Sequence, residues 1–94
     1  MSEPLFAVIG DPHIVRPRYV TTQLLREKIV FLNTVKDLEY VLITGDISHE
    51  ATMEQFKLAK SMLDRLKAPY FCCAGNHDMP LNTTDLSGYR AVFG

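Results

Sequence analysis

The 94 residues of this chain have room for one domain or part of one, and a second domain is excluded. A composition of 47% hydrophobic and 22% charged residues is typical of a folded globular protein and argues against a disordered segment. A net charge of -1 gives no electrostatic basis for binding a nucleic acid or a membrane surface, so we expect neither as a partner.

Three continuous apolar runs predict three β-strands. In chain order they are residues 5–9, 40–44 and 70–73, and turn-forming residues flank each of them. Continuous apolar runs, without alternation of polar residues, are expected of strands that are covered on both faces. The strands are therefore predicted to lie inside a layered α/β structure.

Helical periodicity predicts one helix between each pair of strands. In the first intervening segment, apolar residues recur at helical spacing between Leu24 and Val35. In the second, Thr52 followed three residues later by Gln55 is a capping-box pattern that marks a helix start, and Pro69 prevents continuation. The apolar stripe of this second helix consists of Phe56, Ala59, Leu63 and Leu66.

The resulting order β-α-β-α-β predicts an α/β fold with parallel strands. The tail from Asn82 to Gly94 is consistent with one more short helix starting near Thr84 or Asp85. Gly88 and the shortness of the segment weaken that prediction, because glycine disfavours helix interiors.

Three short polar motifs follow directly after the three predicted strands. They are Asp11-Pro12-His13, Gly45-Asp46 and Gly75-Asn76-His77-Asp78. The intervals of about 30 to 35 residues between them each match one strand plus its crossover helix. Because parallel α/β sheets place functional residues beyond the carboxyl ends of their strands, we expect the three motifs to meet at one site.

The residue types in the first two motifs suit a divalent metal ion. We expect the chain to stay extended after the first strand, since Pro12 favours that geometry, so that Asp11 and His13 project from the same face. Carboxylate and imidazole together suit Mn, Fe and Zn. Asp46 adds a carboxylate with one oxygen for each of two ions, and Gly45 allows a sharp turn before it.

The third motif adds an amide and an acid–base pair. Asn76 offers a neutral oxygen ligand, while His77 and Asp78 are adjacent in sequence. Any one of the three motifs would also fit an ordinary polar turn after a strand. Their conjunction, in one order and at matching intervals, favours a functional site.

Together the three motifs resemble the calcineurin-like metallophosphoesterase superfamily, whose pattern is D-x-H, G-D and G-N-H-D/E, then a later His and a final G-H-x-H. The resemblance covers nearly the whole chain. It implies that residues 1–94 are the amino-terminal part of a single metallophosphoesterase domain. The implied architecture is the first part of a four-layer α/β/β/α sandwich.

The resemblance also implies roles for individual residues in a site with two divalent ions (Mn, Fe or Zn). Asp11 and His13 would bind the first ion, Asp46 would bridge both, and Asn76 would bind the second. His77 is similar to the catalytic histidine of the family, and Asp78 to the partner that orients it.

The implied reaction is hydrolysis of a phosphomonoester or phosphodiester by a two-metal mechanism, in which ions about 3.5–4 Å apart activate a water for in-line attack. His77 would contact the phosphate and protonate the leaving oxygen. The alternative is a non-catalytic protein-binding scaffold with the same fold, since a fold alone does not decide function. A histidine between Asn76 and Asp78 favours the enzyme.

The chain departs from the family pattern because the later His and the G-H-x-H motif do not occur in it. Its histidines are His13, His49 and His77. By analogy the first ion lacks one imidazole and the second lacks two, so we expect the isolated chain to be inactive. We also expect one face of the sheet to need the remainder of the domain, or another chain, to cover it.

His49 follows Asp46 by three residues, where the purple acid phosphatase branch carries a tyrosine. The stretch from Gly45 to Glu50 looks more like the cyclic-nucleotide phosphodiesterase branch, which makes a cyclic nucleotide a candidate substrate. For His49 itself, we favour a solvent-facing side chain over a group near the cleft.

A cytoplasmic location is expected from two features. The apolar stretch Leu5–Ile9 is too short for a secretory leader or for the roughly 20 residues that span a bilayer. The adjacent Cys72 and Cys73 do not resemble a disulfide framework. Cys73 as a thiolate ligand is less favoured than Cys73 as a small buried hydrophobic residue.

Overall fold

The computed structural model describes residues 4–94 and has the predicted α/β architecture. One sheet contains three parallel strands in the order β1-β2-β3: β1 (Leu5–Gly10), β2 (Leu38–Thr44) and β3 (Tyr70–Cys73). Helix α1 (Val20–Leu32) connects β1 to β2, and helix α2 (Met53–Leu63) connects β2 to β3. A single 3₁₀ turn (Asn76–Asp78) and helix α3 (Ser87–Phe93) follow.

The strand register brings the carboxyl ends of all three strands side by side. Gly10 pairs with Thr44, and Thr44 pairs with Cys73. Each of the three polar motifs begins one or two residues after one of these positions. The motifs therefore leave the sheet at the same edge.

Helix α1 ends earlier than its apolar periodicity predicted. It buries Leu25 and Ile29 but leaves Phe31 exposed, and Val35 lies beyond its end. Asn33 caps the carboxyl end of the helix, where its side-chain nitrogen donates to the carbonyl of Arg65 and its side-chain oxygen accepts from the N–H of Lys67, both at 2.9 Å. This amide joins the end of α1 to the loop between α2 and β3.

Helix α2 begins as the capping pattern predicted. The Thr52 hydroxyl accepts from the backbone N–H of Gln55 at 3.1 Å. The Gln55 side chain does not complete a reciprocal box with Thr52, because its oxygen accepts from the N–H groups of His49 and Glu50 at 3.1 and 2.7 Å. Gln55 thus fixes the loop that follows the second motif. The buried face of α2 includes Phe56, Ala59, Met62 and Leu63.

Helix α3 forms despite Gly88 because tertiary packing supports it. Tyr89 and Phe93 place their rings 6.1 and 6.4 Å from the ring of Phe56 on α2. At its start, the Asp85 carboxylate accepts from the N–H of Ser87 at 2.9 Å. Over residues 4–94, no helix combines the length and the apolar character that crossing a membrane requires.

The sheet is covered by helices on one face only within residues 4–94, as expected for a chain that leaves one face of its sheet to be covered by other polypeptide. On the open face, the ring of Tyr40 stacks on Phe6 at 5.1 Å and meets Phe71 edge-on at 6.3 Å. Phe6, Val8 and Phe71 are 47%, 56% and 59% exposed. This row, Phe6, Tyr40 and Phe71, is called the aromatic face below.

Candidate metal centre

Asp46 links the three motifs at the carboxyl edge of the sheet. Its backbone carbonyl accepts from the N–H of His13 at 2.9 Å, and its Oδ1 accepts from the N–H of His77 at 2.8 Å. Its Oδ2 lies 3.8 Å from Nε2 of His13. The second motif is thus in direct contact with the first and with the third.

The chain does not stay extended after β1, so that prediction is wrong. Asp11 and His13 both have left-handed backbone conformations, with φ of 44° and 48°. The backbone turns because it pairs with the loop after β2, where the N–H of Ile14 donates to the carbonyl of Ile47 at 2.8 Å. Asp and His are among the residue types that tolerate this conformation best. Each such residue still costs roughly 1–3 kcal/mol, which is typical of functional sites.

Two glycines allow the second and third motifs to touch. Gly45 has a φ of 62°, as expected for the sharp turn before Asp46. A Cβ on Gly75 would overlap the carboxylate and the backbone nitrogen of Asp46, and a Cβ on Gly45 would meet Gly75 Cα at 3.3 Å. The absence of a Cβ at Gly75 therefore leaves the space that Asp46 occupies. The sequence did not reveal this role.

The Asp78 carboxylate has a different set of partners from the one assigned by family resemblance. It is buried and accepts from the backbone N–H groups of Ile47, Ser48 and Gly75 at 3.0, 2.7 and 2.9 Å. It also accepts from the Ser48 hydroxyl at 2.9 Å. Asp78 thus holds the loop of the second motif against the third, and this position corrects its interpretation as the group that orients the His77 ring.

The His77 ring is oriented by a backbone carbonyl instead. Its Nδ1 lies 2.8 Å from the carbonyl oxygen of His49. Because a carbonyl only accepts hydrogen bonds, Nδ1 carries the proton, and in the neutral ring Nε2 has the free lone pair. The side chain is exposed, so Nε2 is available to a ligand.

Three histidines from three different loops form one cluster. One ring nitrogen each of His13, His49 and His77 lies within 4.8 Å of the other two. His49 is exposed, as expected, but its ring stacks on that of His77 with centroids 5.2 Å apart. It therefore lies at the site, which the favoured solvent-facing interpretation did not anticipate.

Asp11 and Asn76 are at the same edge with exposed side chains. The N–H of Asp11 donates to the carbonyl of Thr44 at 3.3 Å, and Asn76 opens the 3₁₀ turn. Together with Asp46 and His13 they provide two carboxylates, one amide oxygen and one imidazole. This donor set fits hard and borderline divalent cations.

The cysteines do not join this donor set. The Cys73 thiol is exposed, contrary to the expectation of a buried residue, and it donates to the carbonyl of Ile43 at 3.6 Å. Burial raises the pKa of the Cys72 thiol to about 12, so this group stays protonated at neutral pH. A thiol is a poor ligand compared with a thiolate.

Comparison with known proteins assigns the chain to a family. Residues 4–93 match the model of the family described as calcineurin-like phosphoesterase. The chain is 26% identical over 83 residues to a probable cyclic nucleotide phosphodiesterase of Xenorhabdus bovienii, covering 79% of this chain and 34% of that protein. It is 30% identical over 85 residues to a probable cyclic nucleotide phosphodiesterase of Ruthia magnifica, covering 87% of this chain and 36% of that protein.

A shorter match is to a protein with a different name. A probable glycerophosphodiester phosphodiesterase of Arcobacter nitrofigilis is 37% identical over 51 residues, which are 53% of this chain and 19% of that protein. The chain thus spans about a third or less of the length of these curated relatives.

Proposed function

Because the chain belongs to the calcineurin-like phosphoesterase family, we propose that it carries part of the active site of a metal-dependent phosphoesterase. The observation that supports this best is the position of Asp46, whose carboxylate and backbone contact the other two motifs. The chain uses two glycines and several left-handed residues to keep these polar groups together. Backbone strain of this kind is typical of functional sites.

The proposed ligands are Asp11, His13, Asp46 and Asn76, with Asp46 shared between two divalent ions of Mn, Fe or Zn. Bound cations would supply Lewis-acid polarisation of the phosphate ester. The chain itself supplies negative carboxylates that attract the cations and a neutral amide oxygen. His77 donates its backbone N–H to Asp46 Oδ1, which fixes the direction of that carboxylate.

His77 is the proposed catalytic residue. Its exposed Nε2 can contact a phosphate oxygen and, when protonated, transfer that proton to the departing alkoxide. The hydrogen bond from Nδ1 to the His49 carbonyl is compatible with both the neutral and the protonated ring. The ring therefore keeps its orientation while Nε2 gains and loses a proton.

The proposed substrates are phosphodiesters, with cyclic nucleotides as the first candidates. This choice follows the similarity of residues 45–50 to the cyclic-nucleotide branch and the names of two relatives. No later His and no G-H-x-H motif occurs among these 94 residues. We therefore propose that further polypeptide supplies the remaining imidazoles and covers the aromatic face.

A direct test is hydrolysis of bis(p-nitrophenyl) phosphate by the polypeptide that the gene encodes, with Mn²⁺ and with chelator. Asp46→Asn should lose both Mn²⁺ binding and metal-dependent hydrolysis. The matched control is Glu39→Gln, because Glu39 is an exposed carboxylate at the start of strand β2, whereas Asp46 follows the end of that strand. A protein that binds Mn²⁺ through Asp46 but hydrolyses no phosphodiester or phosphomonoester would favour the non-catalytic scaffold instead.

A further inference from the structure

We propose that His13, His49 and His77 bind a single Zn²⁺ ion through three imidazoles. This site shares His13 with the oxygen-rich donor set above, but it contains no carboxylate and requires His49 and His77. One ring nitrogen from each residue already lies within 4.8 Å of the other two. The three residues come from the loops after β1 and β2 and from the 3₁₀ turn, so the fold itself assembles the cluster.

The separation of two ring nitrogens matches zinc geometry. The Nδ1 atoms of His13 and His49 face each other at 3.4 Å. Two nitrogens bound to one tetrahedral Zn²⁺ at about 2.0–2.1 Å are about 3.3–3.4 Å apart. A Zn²⁺ ion could therefore bind both nitrogens with little rearrangement of the two rings.

The third ring is oriented as metal-binding histidines commonly are. Nδ1 of His77 donates to the carbonyl of His49, so its lone pair is on Nε2. Histidines that bind a metal almost always donate their other ring N–H to a carbonyl, a carboxylate or water. His49 would thus act twice, with its side chain as a ligand and its carbonyl as the group that orients the neighbouring ligand.

The nitrogen ligands of the cluster favour borderline metal ions over hard ones. Three neutral imidazoles suit Zn²⁺, Cu²⁺ and Ni²⁺, whereas Mg²⁺ and Mn²⁺ prefer oxygen ligands. His49 and His77 are exposed, which leaves a fourth coordination position open to water. One consequence rests on the proposed function: an ion bound to His77 withdraws that ring from the phosphate, so Zn²⁺ bound here would oppose Mn²⁺-dependent hydrolysis.

The test compares Zn²⁺ and Mn²⁺ binding by the chain and two variants, each checked for a folded circular dichroism spectrum. His49→Ala should weaken Zn²⁺ binding by about 100-fold or more, since even indirect loss of ligand support costs 10- to 100-fold. Glu39→Gln, which removes an exposed carboxylate from strand β2, should leave Zn²⁺ and Mn²⁺ binding unchanged. Co²⁺ serves as a visible probe, and its bound form should show the intense absorption of four-coordinate cobalt.

Unchanged Zn²⁺ affinity in His49→Ala would overturn the proposal. An independent measurement uses the unmodified chain: addition of Zn²⁺ should shift the imidazole ¹⁵N resonances of all three histidines at one equivalent. Shifts confined to His13 and His77 would also overturn it. Neither result depends on phosphate-ester hydrolysis, so failure of this site and failure of the proposed function are distinguishable.

Discussion

The Asp78 carboxylate accepts hydrogen bonds from both the backbone N–H and the hydroxyl of Ser48, at 2.7 and 2.9 Å. Both residues are buried, at 1% and 0% exposure. This contact joins the loop after β2 to the 3₁₀ turn after β3, two segments that are 30 residues apart in sequence. It keeps Asp46 and His77 adjacent without touching either side chain.

The first prediction concerns this contact. Asp78→Ala should lower the free energy of unfolding by about 3 kcal/mol or more, because several buried N–H groups lose their acceptor, each at about 1–3 kcal/mol. Ser48→Ala removes one hydroxyl, which donates to Asp78 and accepts from the N–H of Ala51, and should cost about 1–2 kcal/mol. Urea unfolding of the two variants measures both values. If Ser48→Ala lowered the free energy of unfolding as much as Asp78→Ala or more, Asp78 would not be the main stabilising contact between the two segments.

The second prediction concerns Gly75. Gly75→Ala should weaken Mn²⁺ binding and destabilise the fold by roughly 1–3 kcal/mol, since the added methyl group displaces the Asp46 carboxylate and backbone. Gly10→Ala is the control, because a Cβ there meets the Thr44 hydroxyl at an ordinary 3.6 Å. Calorimetric Mn²⁺ titration and thermal melting should separate the two variants. Mn²⁺ binding that survives Gly75→Ala intact would contradict the proposed place of Asp46.

The third prediction concerns His77 in the polypeptide that the gene encodes. His77→Ala should reduce turnover of a phosphodiester by about 10²- to 10⁴-fold, the usual contribution of general acid–base catalysis. Its Mn²⁺ content should stay close to that of the unmodified protein, because the backbone N–H that holds Asp46 remains. Metal analysis measures the Mn²⁺ content, and steady-state kinetics measure the turnover. Loss of all bound Mn²⁺ in this variant would assign His77 as a ligand of that ion instead.

The fourth prediction concerns alkaline pH. Burial raises the pKa of Cys72 from 9.0, and those of Tyr70 and Tyr89 from 10.0, to about 12 each. At a pH between the unfolded and the folded pKa of each group, the unfolded chain has lost a proton that the folded chain retains. The free energy of unfolding should therefore fall as pH rises from about 9 to 12.

Urea unfolding at a series of pH values measures this slope. Cys72→Ala removes the group with the lowest unfolded pKa, so the decline should begin closer to pH 10 in that variant. Stability that is independent of pH over this range would contradict the prediction.

The fifth prediction concerns the aromatic face. An exposed apolar patch favours association, so the 94-residue chain should form dimers or larger species in sedimentation experiments. Phe71→Lys should shift the population towards monomer, because it places a charge in the aromatic row. Phe31→Lys is the control, since Phe31 is similarly exposed, at 65%, but lies on helix α1. Equal effects of the two variants would point to general solubility rather than to this face.

Local sequence patterns predicted the strands, the first two helices and the edge at which the motifs meet, because these features depend on neighbouring residues in the chain. Apolar runs and helical periodicity identified the strands and the first two helices, and Thr52 marked the start of α2. The spacing of the three motifs predicted that they meet at one edge, since parallel strands end there. The motifs themselves also led to the family, which the match over residues 4–93 confirms.

Tertiary contacts decided the rest. Asp11 and His13 are left-handed because the loop after β1 pairs with the loop after β2. Asp78 binds Ser48 rather than His77, and His49 lies beside the other two histidines. Each of these outcomes depends on hydrogen bonds or close approach between segments roughly 30 residues apart, which no local pattern in the sequence encodes.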